Sequence, residues 1–384
     1  MRQRWLSYLL VFASFYEQLA WAPVLVLLAA GVGDAEAVAL AASAYSLANL
    51  GGNLLFGVVS DRMGRHRVAG AGLVAMAATA LLHLAAATPL QLVGARFLHG
   101  LTAAAVAPSA FASVTDGAPG ARRGEVMARV GLVIALASMA APALTGRLAK
   151  GMGVPVAVEL LGLGLALVGF LTLAVGKGSP RMAVAVHTDG DTRVNPVLIL
   201  VGAAVAFAVM FGQNVLFYAL PLRGTEMGMS AARVGGLLST FAVGALIAFV
   251  PPLGRSADRW GRVPPILAGM GLTSLGLFLL AAAADARGMA VGLTIYGLGF
   301  GLAFPAVSAL SGDAAGAGRR GLAFGVLTAA FSAGAIVGPL VTRMLEGLLP
   351  PFVVAGLVAL VGAGAALGAL RQPKAVAPPV GPGA

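Results

Sequence analysis

The sequence predicts an all-α membrane protein of twelve transmembrane helices in two six-helix, pseudo-symmetric bundles. Three observations carry that prediction. The first is composition: of 384 residues, 59% are hydrophobic and 10% charged, with a mean hydropathy of +0.94. A soluble domain carries about 25% charged residues, so most of this chain must face lipid or pack inside a membrane. The second is a series of apolar stretches, each close to the ~20 residues that a helix needs to cross a hydrocarbon core about 30 Å thick. The third is a repeat. Gly57 to Arg67 reads GVVSDRMGRHR, and 197 residues later Gly254 to Pro264 reads GRSADRWGRVP.

Taken in order, the apolar stretches lie near 5–30, 36–59, 68–87, 90–113, 125–149, 153–175, 197–221, 231–253, 264–284, 288–310, 321–345 and 348–370. Helix is the state expected of each, because an open sheet would leave backbone groups unpaired in lipid. The first stretch follows Arg2 and Arg4, as in a signal peptide. It is too long for a cleaved apolar core of roughly 7–15 residues, and it holds Glu17 and Gln18, so it reads as a retained span. Gly176 to Asn195 is the one long polar stretch and divides the spans six and six. The domain reading is therefore a bundle over 1–175, a cytoplasmic linker over 176–195 and a second bundle over 196–371. Residues 372–384 are rich in proline and glycine and read as a disordered tail.

Charge sets orientation. The net charge is +11, which raises nucleic-acid binding as a possibility. The basic residues instead occupy short loops between apolar spans, the pattern of a membrane protein with a positive inner face. With the N-terminus inside, 18 Lys and Arg fall on inner segments against 6 on outer ones. That bias predicts both termini in the cytoplasm. The expected surroundings are the lipid bilayer of the plasma (inner) membrane, crossed several times, and the expectation is a monomer with no nucleic-acid partner. There is no cysteine, which excludes disulfides and thiolate chemistry. No cofactor or metal is expected. Gly176-Lys177-Gly178-Ser179 lacks the spacing and flanking strand of a phosphate-binding loop. The Gly297-x-Gly299-x-Gly301 run lies inside an apolar helix, where glycine serves close packing.

The repeat extends well beyond its loop. At the same offset of 197, Asp61, Arg62, Gly64 and Arg65 fall on Asp258, Arg259, Gly261 and Arg262. Asp116 falls on Asp313, Arg122-Arg123-Gly124 on Arg319-Arg320-Gly321, and Pro108 and Pro142 on Pro305 and Pro339. Two copies of a six-span unit share one orientation and relate by an axis along the membrane normal. Such a duplication points to a transporter, with a small-molecule substrate.

The loop after span two resembles the Gly-x-x-x-Asp-Arg-x-Gly-Arg-basic-basic signature of the major facilitator superfamily, here Gly57, Asp61, Arg62, Gly64, Arg65, His66 and Arg67. In span four, Arg96 to Gly100 is similar to the Arg-x-x-x-Gly pattern of proton-coupled members. Span five reads AAPALTG from Ala140 and keeps the proline, but not the glycine spacing, of the antiporter signature. Within the family the chain resembles the drug–proton antiporter branch. The resemblance implies alternating access, with an inner gate built from Gly57, Asp61, Arg62, Gly64, Arg65, Asp116, Asp258, Arg259, Gly261, Arg262 and Asp313. Asp61 would meet the start of span eleven near Gly321, and Arg65 would pair with Asp116. Asp258 would meet the start of span five near Gly124, with Arg262 and Asp313 completing the second copy. The alternative is that these arginines only set topology. Gly64 and Gly261 suit a tight turn, where positive φ is cheap for glycine.

Ionisable groups in the bilayer core are costly, roughly 2.5–3.5 kcal/mol each on insertion scales, so the few present are informative. Glu17 lies about 12 residues into span one, roughly 18 Å up at 1.5 Å per residue. Arg96 lies about six residues into span four from the outer side, roughly 9 Å down. The family fold places spans one, four, seven and ten around a central cavity, where these two charges would meet nearly level. Glu17 is the expected proton carrier: burial disfavours its charge and the Arg96 cation favours it. A static pair that locks two helices is the alternative. His99 can relay protons or simply pack, and His83 reads as structural. The symmetry partner of Glu17 is Asn214, and that of His99 is Tyr296. Helical spacing groups Ser14, Glu17 and Trp21 on span one and Phe211, Asn214 and Tyr218 on span seven. With Asn49, Asn53, Arg96, Tyr296 and Phe300, these are the expected substrate-binding residues, suited to an amphipathic or lipophilic guest.

The resulting expectation is a secondary active transporter, not an enzyme, exporting such compounds against protons. Uptake or facilitated movement of a metabolite or lipid on the same scaffold is the alternative reading.

Overall fold

The computed structural model describes residues 4–31, 36–116, 118–176, 194–229, 231–315, 319–345 and 347–371, and among them there is no strand. The helices are α1 (Arg4–Gly31), α2 (Glu36–Met63), α3 (Arg65–Leu82), α4 (Pro89–Ala103), α5 (Ala107–Asp116), α6 (Arg123–Met152) and α7 (Val154–Gly176). They continue as α8 (Pro196–Glu226), α9 (Ala231–Phe249), α10 (Ser256–Arg259), α11 (Val263–Ala282), α12 (Ala286–Ala314), α13 (Arg320–Met344) and α14 (Pro351–Ala369). Each apolar stretch coincides with one of these, except that α4 and α5 together form the fourth and α10 is one turn in a loop. Nine helices among the described residues are long and apolar enough to cross a membrane, or ten if a bent pair counts as one span. Most of residues 176–195, and all of 372–384, lie outside the described residues.

One span departs from its expected length. The eighth stretch was expected to reach residue 253, but α9 stops at Phe249 and the chain bends by 58° before residues 253–259. Pro251 and Pro252 account for the break, since proline lacks the N–H of a helical hydrogen bond and its ring clashes with the preceding turn. Leu54 and Leu55 occupy the matching places in the first copy, and α2 runs unbroken to Met63.

Packing repeats as the sequence does. In the first copy α2 packs on α4 and α3 on α7; the corresponding helices α9 on α12 and α11 on α14 do the same in the second. Glycine makes the tightest of these approaches possible. Gly100 lies against the Tyr45 carbonyl and Gly297 against that of Phe241, where any Cβ would collide with backbone.

The chain divides into two compact units. The first comprises Met1–Gly117, Val133–Arg193 and Ala315–Ala329; the second comprises Ala118–Leu132, Val194–Ala314 and Ala330–Ala384. The opening turns of α13 thus belong with the first unit and those of α6 with the second. The second unit has a hydrophobic core that includes Phe211, Leu216, Leu277, Leu280, Leu293, Tyr296 and Phe352.

Candidate functional site

The first unit encloses a polar cluster drawn from four helices. Glu17 and Trp21 come from α1, Tyr45 from α2, Thr79 from α3, and Arg96, His99 and Thr102 from α4. His83 joins them from the one-turn 3-10 helix that continues α3. Glu17 and His99 are fully buried, and the Glu17 Oε1 to His99 Nε2 distance is 2.5 Å. On its other side, His99 Nδ1 lies 2.9 Å from Thr79 Oγ1. That hydroxyl is also 3.1 Å from the Ala75 and Met76 carbonyl oxygens and 3.2 Å from Thr102 Oγ1. A continuous line of exchangeable protons therefore runs from Glu17 through His99 to Thr79.

The expected ion pair of Glu17 with Arg96 is not what these helices make. The Arg96 guanidinium instead lies between two aromatic faces, 4.8 Å from the Trp21 ring centroid and 4.8 Å from that of Tyr45. The reason is geometric. Arg96 and His99 are three residues apart, on the same helix face, and the imidazole reaches the carboxylate first. A flat, weakly hydrated guanidinium is well suited to stacking on rings. His83 is likewise part of the cluster: its ring is 4.2 Å from Trp21 and 5.4 Å from His99. Its Nδ1–H donates to the Thr79 and Ala80 carbonyls at 3.0 and 3.1 Å.

Among the described residues, the second unit has no equivalent cluster. At the matching positions stand Asn214 for Glu17, Gly276 for Thr79, Leu280 for His83, Leu293 for Arg96 and Tyr296 for His99. Asn214 donates to its own helix at the Met210 carbonyl, 2.9 Å away. Phe211 and Tyr296 are packed into the apolar core, with Tyr218 half-buried against it. Phe211 and Tyr296 were expected to line a binding surface; they are buried core instead, because aromatic side chains at helical spacing satisfy packing before anything else, while Asn214 and Tyr218 stay partly exposed. Trp21 is likewise buried, against His83, His99 and Arg96, and Ser14 is nearly so. Phe300 is partly buried and joins an aromatic row with Phe241, Phe249 and Phe304. Asn49 ties α2 to α4 by donating to the Gly100 carbonyl at 3.3 Å, and Asn53 donates to Asn49 Oδ1 on its own helix at 2.8 Å.

A second constellation occurs twice, at the ends of the spans read as cytoplasmic. In the first unit, Asp61 accepts the N–H groups of Gly321 and Leu322, in the first turn of α13, at 2.9 and 2.8 Å. In the second, Asp258 accepts those of Gly124 and Glu125, in the first turn of α6, at 2.8 and 2.7 Å. Each carboxylate satisfies two otherwise unpaired donors and faces the positive end of a helix dipole. Each also pairs with the arginine four residues on, Arg65 or Arg262. Asp116 then binds Arg65 at 3.1 Å and Arg320 at 2.8 Å. Asp313 binds Arg262 at 2.8 Å and also pairs with Arg123. Burial works against the charge of Arg262, but Asp313 and Asp258 outweigh it and hold the guanidinium above its ordinary pKa. Gly64 and Gly261 turn the chain with φ of +98° and +83°, a region that glycine alone enters without strain. Arg62 and Arg259 are exposed and take no part in either network.

These contacts need close backbones. A Cβ on Gly57 would stand 2.5 Å from the Gly321 carbonyl oxygen and 3.0 Å from Gly325 Cα. Gly57→Ala is therefore expected to push α2 off α13 and weaken both Asp61 hydrogen bonds. Overpacking of this kind costs typically 1–3 kcal/mol, and a thermal unfolding midpoint lower than wild type, together with faster amide exchange at Gly321 and Leu322, is the result to look for.

Comparison with known proteins decides the family. The family model of the Major Facilitator Superfamily matches residues 6–201 and again 202–383. The chain belongs to the major facilitator superfamily. It is accordingly a multi-pass integral membrane protein with the all-α fold of that superfamily. Among curated superfamily relatives, it is 32% identical over 130 residues to the class G tetracycline resistance protein of Vibrio anguillarum, covering 33% of each chain. It is 28% identical over 170 residues to multidrug resistance protein 1 of Bacillus subtilis (strain 168), covering 44% of this chain and 43% of that protein. The matched region thus spans less than half the length of these relatives. Its fold resembles that of the human organic anion transporter MFSD10, with a TM-score of 0.77 and 17% identity over 95% of this chain and 99% of the other.

Proposed function

We propose that this protein is a proton-coupled exporter of small amphipathic or lipophilic compounds, working by alternating access from the inner membrane with both termini in the cytoplasm. The observation that carries the reading is the Glu17–His99 contact: a carboxylate and an imidazole 2.5 Å apart, fully buried, in one unit only. The names of the two curated relatives, which specify tetracycline and multidrug resistance, support export as the direction.

The chemistry follows from donor and acceptor counting. Neutral His99 can carry its hydrogen on Nε2 and give it to ionised Glu17, while the Thr79 hydroxyl donates to Nδ1. An arriving proton occupies Nδ1 or the Glu17 carboxyl. Thr79 then turns its hydrogen to the Ala75 or Met76 carbonyl and accepts from Nδ1–H. One hydroxyl rotation therefore keeps His99 Nδ1 paired with and without the added proton. Arg96 stays charged throughout. With Glu17 ionised and His99 neutral the buried charges of the cluster cancel, and the added proton leaves one uncompensated positive charge. Burying net charge is costly, so protonation favours states in which the cluster opens. The two Asp-capped helix starts are the inner gate that such opening releases. Substrate does not meet Glu17 while the cluster is enclosed, so exchange operates through the state of the helices and not by direct displacement of the proton.

The test is transport in proteoliposomes carrying an imposed pH gradient. The exporter reading predicts that a compound identified by thermal-shift screening moves opposite to the proton flow, and that a protonophore abolishes its accumulation. Movement with the proton flow would identify a symporter instead.

A further inference from the structure

The polar cluster of the first unit holds one ionisable ring that the Glu17–His99 exchange does not use. His83 is only 1% exposed, and its Nδ1–H is committed to the Thr79 and Ala80 carbonyls. In the neutral ring Nε2 is therefore an acceptor, and it has no hydrogen-bond partner among the described residues. The same holds for Glu17 Oε2, for Trp21 Nε1, and for Arg96 Nε and Nη1. The groups that carry these atoms touch one another. The Trp21 ring lies 4.2 Å from that of His83 and 5.2 Å from that of His99, and the Arg96 guanidinium carbon stands 4.8 Å over Trp21. Glu17 Oε2 belongs to the carboxylate whose other oxygen meets His99. Ionised Glu17 and His83 Nε2 only accept, whereas Trp21 and Arg96 only donate. Two acceptors and two donors match the valence of one water, and a buried water makes about three bonds to groups otherwise unpaired.

We propose that His83 relays protons to and from the Glu17–His99 pair through one ordered water held by Trp21 and Arg96. The inference rests on the proton-coupled reading and adds to it the residue that loads the pair. The water donates to Glu17 Oε2 and His83 Nε2 and accepts from Trp21 Nε1–H and an Arg96 N–H. In the transfer, protonated His83 loses its Nε2 proton to the water oxygen as the water gives one of its own hydrogens to Glu17 Oε2. His83 ends neutral, Glu17 ends protonated and the water is restored; the reverse sequence unloads the pair. Position supports this role. His83 follows Arg65 by 18 residues, which places it about 27 Å from the gate end of α3. Ala85, Ala87 and Thr88, just beyond it, are exposed. His83 thus stands between the buried pair and the surface opposite the gate. The other ionisable groups around it are Tyr45 of α2 and Arg96 and His99 of α4. Helix α7, packed along α3, brings Glu159, which is exposed, and α5 brings Asp116 at the gate end.

The experiment is a stopped-flow pH jump on the purified full-length protein in detergent, from about pH 8 to about pH 5, the range in which histidine titrates. Trp21 is the reporter, because an imidazolium in contact with an indole quenches its emission. Trp5→Phe and Trp260→Phe remove the other two tryptophans, both exposed. In that background His83→Asn keeps a donor for the Thr79 and Ala80 carbonyls, and His83→Gln keeps an acceptor for the water; neither side chain takes up a proton. Both should still reach a quenched end state, but on the order of 100-fold more slowly, the scale of one positioned acid–base group. With His83 intact, the rate should curve with deuterium fraction in mixed light and heavy water, because two protons move in one step; a straight line would overturn the water. No quenching with His83 intact would remove the proton-coupled reading and this one with it. Quenching at an unchanged rate in both variants would overturn the relay alone. Recovery of the rate by His83→Asn but not by His83→Gln would reduce His83 to a cap on the end of α3 and overturn it as well.

Discussion

Glu17→Gln is expected to yield a folded transporter that binds substrate but no longer accumulates it. Glutamine keeps the volume of the side chain and can still accept from His99 Nε2, so the packing of α1 against α4 survives. What it cannot do is ionise. A pH unit is worth about 1.4 kcal/mol. One-for-one exchange at zero membrane potential therefore sustains roughly tenfold accumulation of an uncharged compound per pH unit. The variant should show none, while passive equilibration across the same vesicles continues. His99→Leu should also abolish accumulation but with a loss of stability, because it strands a fully buried carboxylate; removing one partner of a buried pair costs about 3–5 kcal/mol. Thr79→Val should be milder, slowing transport without changing the final accumulation ratio, since it removes the rotating hydroxyl and leaves the titrating pair. Flux and end-point ratio, measured in the same proteoliposomes, separate these three outcomes.

Asp61→Asn/Asp258→Asn is expected to shift the protein strongly towards inward-open states. A carboxylate at a partly buried helix start contributes up to about 2 kcal/mol. Two such losses amount to roughly 4 kcal/mol, about three orders of magnitude in population. The single variants should differ. Asp258→Asn leaves the Arg255–Glu125 pair in place, worth up to about 1 kcal/mol for a half-exposed arginine, whereas Asp61→Asn has no such ion pair in reserve. Cysteine-accessibility labelling at the inner ends of α2 and α13, on a chain that has no native cysteine, reads the shift directly. The order expected is double variant, then Asp61→Asn, then Asp258→Asn; no change in the double variant would remove the gate role from these carboxylates.

Much of this architecture was legible in the sequence, for identifiable reasons. Apolar length marks a membrane helix almost unambiguously, since lipid offers the backbone no other partner. The offset of 197 paired Asp61 with Asp258 and Asp116 with Asp313 before any contact was seen. That Asp61 meets Gly321, 260 residues away, came from family resemblance and not from spacing, because no local rule brings distant helix ends together. The break at Pro251-Pro252 was readable in retrospect from the change from Leu54-Leu55.

Glu17 stood out as the one deep carboxylate, but its partner did not. Depth along a helix cannot choose between Arg96 and His99, which share a face, and it gave no warning that Trp21 and Tyr45 would capture the guanidinium. His83 was passed over as structural. The signal available was Thr79 and His83, four residues apart in an otherwise apolar span and hence on one face. The aromatic stripe on span seven was read as a binding surface because periodicity cannot distinguish a cavity wall from a packed core.

The central claim is that one buried pair, Glu17 with His99, carries the coupled proton. The most direct measurement is the pH change of a weakly buffered solution of detergent-purified protein when a transported compound is added. Wild type should release protons on binding, and Glu17→Gln should bind the same compound and release none. Proton release from Glu17→Gln equal to that of wild type would contradict the account and assign the coupling to another group.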